Sequence, residues 1–408
     1  MTQSKNLVLR IFATLAIGVS AALAAAFFLQ ILSTITDLRE HQRLWIGALP
    51  FLGYLSASFY ERYGGRSGEG FKLILDEVHR PQVVIPLRMA PFVMITTLAS
   101  HLGGASVGRE GTIVQMGASL AQQWARFWDL DSKERRQLLI AGASAGFAAA
   151  VGAPWAGFIF GLEVLQVGRL RWGGVWEALL AAIVASGTVH LLGFGRSEYG
   201  GVSLHDVWHW TLLPALLGLG LIVGVWARTF VTVTHIFEER IKRWLPDAKK
   251  RLLVIGFILV FAYAWEGSYR FAGLGIDWIK EAFHDVAPWS QSLYKFGFTV
   301  LSVGSGFKGG EFVPLVYMGS ALGSALAPFL HLPIALAAAL AFVAMFGAAA
   351  NTPLTCTVLA MEMFGWQLGP LALIVCYVAY SLTPLQGIYK GQRMGRSKFH
   401  SLRRKRGI

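Results

Sequence analysis

Two stretches of this 408-residue chain decide its fold, because they repeat one unusual pattern. The first, Gly103–Leu120, reads GGASVGREGTIVQMGASL, and the second, Gly304–Leu322, reads GSGFKGGEFVPLVYMGSAL. In each stretch, glycines precede a glutamate and an apolar, helix-compatible run follows it. Glu110 and Glu311 are 201 residues apart (311 − 110 = 201), so the pattern predicts that they occupy matching positions in two related units.

A second pair of stretches repeats at nearly the same offset. Ala148–Glu163 reads AAAVGAPWAGFIFGLE, and Ala348–Glu362 reads AAANTPLTCTVLAME. Their final glutamates are 199 residues apart (362 − 163 = 199). Two matches in the same order predict two related halves. The predicted division is a first repeat over 1–200, a second over 201–389 and a basic tail over 390–408.

The composition predicts a membrane protein. The chain is 55% hydrophobic with a mean hydropathy of +0.53, and only 14% of its residues are charged, against about 25% in a soluble domain. Several apolar stretches approach or reach the roughly 20 residues that cross a bilayer. These stretches are Ile11–Thr36, Trp210–Ala227, Pro333–Ala350 and Gly369–Gln386. The fold class that we expect is all-α, a polytopic membrane bundle.

Glycine or proline interrupts the apolar sequence at four places. The breaks are Ser106–Thr112, Gly152–Pro154, Gly304–Pro314 and Asn351–Pro353. Irregular backbone survives at membrane depth only where protein buries it or where it lines a watery cavity. We therefore expect broken helices in two inverted-topology repeats, an arrangement found in transporters.

The net charge of +13 is concentrated in short segments beside the apolar stretches. These segments are Lys133–Arg136, Arg240–Arg251 and Lys390–Arg406, the last around the run Arg403–Arg406. Excess Lys and Arg beside spans marks the cytoplasmic side, so the charge predicts topology, with cytoplasmic termini, and not nucleic-acid binding. The sequence has no metal-ligand spacing and no cofactor motif, and its two cysteines lie in apolar segments.

The glycine–glutamate pattern predicts an anion site. A helix N-terminus carries unsatisfied N–H groups and about half a positive charge, and glycine lets an anion approach them closely. A glutamate placed there can occupy the anion's position itself and close it. Burial disfavours its charged form while N–H donors favour it, so it could bind and release a proton. An ionisable group inside a membrane is functional by default.

At these residues the sequence resembles the CLC family of chloride channels and proton-coupled antiporters. GREGT, residues 108–112, looks like the family's GREGP loop, whose glutamate is the gate; by that match Glu110 is the gate and proton carrier. GEFVP, residues 310–314, looks like the family's GxFxP element, and Ala149–Glu163 is similar to another family helix. The anion contacts that the resemblance implies are Gly108, Arg109, Gly111, Gly310, Glu311, Phe312, Val313 and Tyr389.

The departures from the family pattern favour its fluoride/proton antiporter branch, CLC-F. Val164 stands where chloride/proton exchangers carry an inner glutamate, Glu311 is an acid inside the GxFxP element, and Thr112 replaces a proline. A further anion loop, GSGIP in the family, has its nearest counterpart in Ser67–Phe71. Its candidate contacts are Gly68, Glu69, Gly70 and Phe71.

The resemblance implies a homodimer in a bacterial inner membrane that exports fluoride in exchange for protons. A chloride channel or chloride/proton antiporter of the same fold is the alternative. An intramembrane enzyme is not expected, although Ser106 and His101 are close in sequence, because no nucleophile signature frames them. Glu163 and Glu362 are expected to be structural, either paired with arginine or capping another helix.

Overall fold

The structure, a computed structural model, describes residues 2–80, 84–194, 199–202, 210–395 and 398. The run Arg403–Arg406 lies outside the described residues. In the first half the α-helices are α1 (Thr2–His41), α2 (Leu49–Phe59), α3 (Phe71–His79), α4 (Met89–Leu102), α5 (Glu110–Phe127), α6 (Ser132–Val151), α7 (Pro154–Glu163) and α8 (Val175–Leu191). In the second half they are α9 (Leu213–Trp244), α10 (Ala248–Glu266), α11 (Ile276–His284), α12 (Trp289–Ser305), α13 (Phe312–Leu326), α14 (Ile334–Ala350), α15 (Pro353–Phe364) and α16 (Gly369–Leu382). Two short strands, β1 (Gln166–Val167) and β2 (Arg393–Met394), pair in parallel.

The eight helices of one half correspond in order to the eight of the other. Their packing corresponds as well: α5 packs on α6 as α13 packs on α14, and α1 packs on α8 as α9 packs on α16. Three helices contact their own counterparts across the halves, in the pairs α2–α10, α5–α13 and α7–α15. The all-α bundle of two repeats that the sequence predicts is therefore confirmed.

The predicted breaks interrupt the helices at membrane depth. Helix α6 ends at Gly152 and α14 at Asn351, both in the left-handed region with φ of 73° and 59°. Pro154 and Pro353 then begin the next helices, the position at which proline's missing N–H leaves no bond unmade. Each half thus carries a short helix, α7 or α15, that starts inside the protein.

The centre of the bundle is made by α6 and α14, whose small side chains let their neighbours approach closely. Every residue from Leu138 to Val151 and from Leu336 to Ala350 is buried. A Cβ added at Gly117 of α5 would come within 2.4 Å of the carbonyl of Gly142. Close helix approach through small residues is typical of membrane bundles, and here it holds the starts of α5 and α13 in place.

Two helices, Leu7–His41 within α1 and Leu213–Trp244, are long and apolar enough to cross a membrane, and several shorter apolar helices accompany them. One end of the bundle, which we call the basic face, carries Arg240–Arg251 and Lys390. Glu238 of α9 binds Lys390 across it, with 2.5 Å between Oε2 and Nζ. Helix α10 starts there and runs about 28 Å at 1.5 Å per residue, so its end marks the opposite face.

Candidate functional site

The loops that precede α5 and α13 are joined to each other. Gly108 and Gly310 exchange two backbone hydrogen bonds in an antiparallel bridge, one of them 2.7 Å from Gly310 N to Gly108 O. A Cβ at Gly310 would lie 2.8 Å from the amide nitrogen of Gly111, and one at Gly309 would lie 2.5 Å from Val107 Cβ. Glycine is required here because the two loops touch. The N-termini of α5 and α13 therefore meet in the structure.

Glu110 is the first residue of α5, and its side chain folds back over the start of the helix. It is 2% exposed. Oε2 lies 3.1 Å from the backbone nitrogen of Arg109, and Oε1 lies 3.2 Å from Arg109 Nε. The carboxylate therefore lies at the start of α5, where helix N–H groups favour negative charge.

The same carboxylate lies beside the other half's helix. A Cβ built on Gly108 would be 3.1 Å from the amide nitrogen of Val313 and 3.2 Å from Oε2 of Glu110. The start of α13 and the Glu110 carboxylate therefore both lie close to Gly108. Gly111 also belongs to this group, since its added Cβ would lie 3.2 Å from the Cα of Gly310.

Glu311 occupies the N-cap of α13 and is half-buried. It lies within electrostatic reach of Glu238 and Lys390 at the basic face. Tyr389 lies within electrostatic reach of both Glu311 and Glu110. Glu311 is therefore near the basic face, and Tyr389 lies near both acids.

Aromatic rings form a wall beside these two acids. The ring of Tyr389 lies 4.7 Å from Phe71, and Phe71 lies 6.5 Å from Phe160, measured between centroids. Phe160 stacks on Phe147 at 4.2 Å, and Phe147 meets Phe312 edge-on at 5.9 Å. An ion that passes this apolar wall must shed much of its water, which strengthens its attraction to the amides.

The predicted loop at Ser67–Phe71 reaches the site in part. Phe71 joins the aromatic wall, and the carbonyl of Gly68 accepts a 3.4 Å bond from Lys308 Nζ, two residues before Gly310. Gly70 takes a φ of 62° as it begins α3. Glu69 instead bonds to Arg66 at 2.8 Å and is partly exposed, so its carboxylate is directed to solvent.

One further residue of this loop was not among the predicted contacts. Ser67 is 1% exposed, and its hydroxyl has no hydrogen-bond partner within the described residues. A buried unsatisfied hydroxyl is uncommon and marks a place where a polar ligand fits. The only sequence signal was its position as the one serine in the stretch.

The two repeated glutamates, Glu163 and Glu362, cap each other's helices. Glu163, at the end of α7, accepts bonds from the amides of Leu354 and Thr355 at 2.9 and 2.7 Å. Glu362, near the end of α15, accepts bonds from the amides of Trp155 and Ala156 at 3.1 and 2.7 Å. Of the two structural roles expected for them, the described contacts show helix capping.

The other residues singled out in the sequence have the following contacts. Val164 is fully buried, and its carbonyl accepts a 3.0 Å bond from Gln392. The hydroxyl of Thr112 lies 2.8 Å from that of Thr97 on α4. The Ser106 hydroxyl bonds to Thr299 at 2.9 Å, and the imidazole of His101 is buried.

Cavities approach the site from both faces. One of about 670 Å³ opens on the basic face, with Gly68, Glu238, Lys242, Arg251 and Lys308 in its wall. Another of about 470 Å³ opens on the opposite face, where Arg39 and Arg270 contribute to its lining. The basic-face cavity reaches Lys308, two residues before Gly310.

Comparison with known proteins shows which family has this architecture. The sequence profile of the voltage gated chloride channel family matches residues 52–383. A chloride/fluoride channel protein of Pseudomonas syringae pv. tomato is 42% identical over 391 residues, which is 94% of this chain and 86% of the relative. An H(+)/Cl(-) exchange transporter ClcA of Vibrio cholerae is 25% identical over 381 residues, 86% of this chain and 81% of the relative.

Among solved structures, the crystal structure of a CLC-type fluoride/proton antiporter superposes with a TM-score of 0.92 at 34% identity. The similarity covers 95% of this chain and 98% of that one. A slow cyanobacterial Cl-/H+ antiporter has the same fold, with a TM-score of 0.80 at 21% identity over 92% and 94% of the two chains. The profile match and the relatives above 30% identity agree with the site geometry, and the chain belongs to the voltage gated chloride channel (CLC) family of integral membrane proteins.

Proposed function

We propose that this chain is a secondary active transporter that exports fluoride in exchange for protons. The observation that carries the proposal is the position of Glu110, whose carboxylate folds over the start of α5 beside the amide of Val313. A carboxylate and a transported anion compete for the same donors. When the carboxylate takes up a proton, it loses its charge and its hold on those donors, so the anion can enter.

Competition of this kind couples the two fluxes. The anion leaves when Glu110 gives up its proton and returns to the helix start. Arg109 contributes by holding the carboxylate in its closed position through Nε and the backbone N–H. Glu110 thus acts as gate and proton carrier, and protons move opposite to the anion.

Two observations support fluoride as the anion. Val164 provides no inner acid for the proton route of a chloride exchanger, and Glu311 places an acid at the start of α13. Fluoride is small, strongly hydrated and a strong hydrogen-bond acceptor. A protonated carboxyl group at Glu311 is a donor that could replace part of its water. The relatives named for fluoride support the same substrate.

Chloride is the second candidate. More distant relatives are named as H(+)/Cl(-) exchange transporters, and the amides at the two helix starts would bind either halide. The proposal also includes a homodimer, a bacterial inner membrane, and cytoplasmic termini with the basic face toward the cytoplasm, as the excess of Lys and Arg there favours.

Anion efflux from liposomes tests the substrate. Purified protein is reconstituted with equal internal fluoride and chloride, and electrodes record both ions after external dilution with valinomycin and potassium present. We expect fluoride release with little chloride release. Because hydrogen fluoride crosses lipid unaided, protein-free liposomes at the same pH are the control. Chloride release as fast as fluoride release would exclude the fluoride proposal in favour of a chloride transporter.

A further inference from the structure

The cavity on the face opposite the basic face has an unusual distribution of charge. Its lining carries three acids and three arginines: the acids are Asp37, Glu40 and Asp277, and the arginines are Arg43, Arg270 and the deeper Arg39. Arg39 is 4% exposed, whereas the side chain of Glu40 is 59% exposed. The acids are therefore at the mouth, and the floor is positive.

Arg39 is held at this floor by backbone groups. Its Nη1 donates to the carbonyl of His101 at 3.0 Å, and its Nη2 lies 3.2 Å from Oε1 of Glu40. The guanidinium lies against Gly273, which has a φ of 65°, and a Cβ there would be 2.2 Å from Nη1. Glycine at position 273 therefore leaves the space that the Arg39 guanidinium occupies.

A second cation lies directly behind Arg39. Lys295 of α12 is fully buried, and its Nζ donates to the carbonyls of Phe271 and Gly273 at 3.1 and 2.7 Å. The amine also lies 5.1 Å from the ring centroid of Tyr317. Within the described residues no carboxylate forms an ion pair with Lys295, so two buried basic groups lie against Gly273, and the exposed Glu40 pairs with Arg39.

Buried polar groups surround these cations. The hydroxyl of Tyr317 is buried and has no hydrogen-bond partner among the described residues, and the imidazole of His101 is buried. The His101 ring faces the backbone of Gly108, and its carbonyl holds Arg39. His101 therefore connects the cavity floor to the loop that carries Glu110.

Burial of a basic group is costly, and in membrane proteins such groups mark ion pathways. We propose that the floor of this cavity, in front of Arg39 and in the field of Lys295, binds a small monovalent anion as an outer station between the solution and the Glu110 gate. The inference rests on the proposed anion transport and adds to it a second binding place on the route.

A purely structural role for these cations is the competing explanation, since carbonyl bonds alone could fix the loop around Gly273. Charge-selective labelling separates the two. Both native cysteines, Cys356 and Cys376, are buried, so a single added cysteine reports alone. Thr36→Cys places it in the wall of this cavity, and Ser56→Cys places a matched control in the cavity of the basic face.

The measurement is the ratio of labelling rates for an anionic and a cationic methanethiosulfonate reagent on full-length protein in detergent. We expect Arg39→Gln and Lys295→Met to lower the anion preference at the Thr36→Cys reporter by about fivefold or more. Arg39→Lys, which keeps the charge, should preserve it, and the Ser56→Cys reporter should not respond. A loosened structure would speed up both reagents and leave their ratio unchanged.

Sodium fluoride supplies the occupancy test. Added at constant ionic strength against gluconate, it should slow the anionic reagent in the parent and not in Arg39→Gln. A labelling ratio that stays unchanged in Arg39→Gln and Lys295→Met, or a fluoride effect that persists in Arg39→Gln, would overturn the proposal. If Lys295→Met is not monodisperse, the Arg39 pair decides the outcome.

The same assay separates this inference from the transport proposal. If the reconstituted protein transports chloride and not fluoride, the labelling is repeated with sodium chloride as the competing anion, and that result decides whether the outer station exists. If the reconstituted protein transports neither anion while competition at Arg39 is observed, the outer station is supported and the transport proposal fails.

Discussion

Three glutamates, Glu163, Glu110 and Glu311, show how position assigns different tasks to one side chain. Glu163 accepts three hydrogen bonds, two from amides and one from the Thr355 hydroxyl at 2.7 Å, so its charge is satisfied by a helix start that belongs to another element. Glu110 instead covers the start of its own helix, and Glu311 lies at the N-cap of α13. Glu163 is held by these bonds, whereas Glu110 and Glu311 can exchange partners.

Substitution of Glu311 tests its role as a donor. Glu311→Gln keeps a neutral N–H donor of similar size, so we expect fluoride binding to be retained and proton coupling to weaken. Glu311→Ala removes the donor, and fluoride turnover or the preference for fluoride over chloride should fall about tenfold or more, which corresponds to the loss of one strong hydrogen bond. Electrode-recorded efflux of both ions measures this; fluoride transport by Glu311→Ala equal to the parent would refute it.

At this scale the sequence singled out Glu110 and Glu311 but did not predict the contacts around them. The pattern around Glu110 and Glu311 could be recognised because glycine, glutamate and an apolar run follow in fixed order. It could not show that Glu69 binds Arg66 or that Ser67 is buried without a partner, since both depend on where the loop packs. The choice between arginine pairing and capping for Glu163 likewise required the neighbouring half.

The central element is the pair of short helices α7 and α15, which exchange glutamate caps. Adding the 199-residue offset to the amides that Glu362 binds, those of Trp155 and Ala156, gives Leu354 and Thr355, the amides that Glu163 binds. The contact is therefore reciprocal, as a two-fold relation between the halves requires. Each cap satisfies N–H groups at the start of a short helix, which have no acceptor within their own helix.

Removing a cap should destabilise the protein. We expect Glu163→Ala and Glu362→Ala each to lower the free energy of unfolding by about 1–3 kcal/mol, because two amides lose their acceptor. Thermal unfolding in detergent provides the measurement, and Glu134→Ala, at the exposed N-terminal cap of α6, is the control with a smaller expected effect. Equal melting temperatures for the parent and both cap variants would contradict the account.

A second link between elements fixes the tail beside the site. Glu238 of α9 binds Lys242 at 2.6 Å and Lys390 at 2.5 Å, and Lys390 follows Tyr389 directly. Glu238→Gln should loosen Tyr389 and slow anion turnover by about two- to tenfold while leaving the proton-to-anion ratio unchanged. Glu239→Gln, which breaks only the exposed 3.7 Å pair with Arg243, is the matched control. Equal rates for the two variants would show that this link does not position the site.

The whole molecule is two copies of one eight-helix pattern whose inner loops meet at Gly108 and Gly310. The repeat could be predicted from two offsets in the sequence, as could the broken helices, because glycine and proline interrupt apolar runs. The number of helices and their ends could not, since most are shorter than a full span and are stabilised by neighbours. The paths from the two faces also required the structure, because Arg39, Lys295 and Gly273 are brought together from distant segments.

The central claim is that Glu110 couples the anion to the proton, and uphill proton movement tests it most directly. Liposomes loaded with fluoride and clamped near zero potential are diluted into fluoride-free buffer, and a pH electrode follows the outside. A tenfold fluoride gradient provides about 1.4 kcal/mol per ion, enough to pull protons inward against a smaller pH gradient. We predict that the parent protein alkalinises the medium as fluoride leaves, and that Glu110→Gln releases fluoride with no proton uptake. Fluoride-driven proton uptake by Glu110→Gln at the parent's rate would contradict the account.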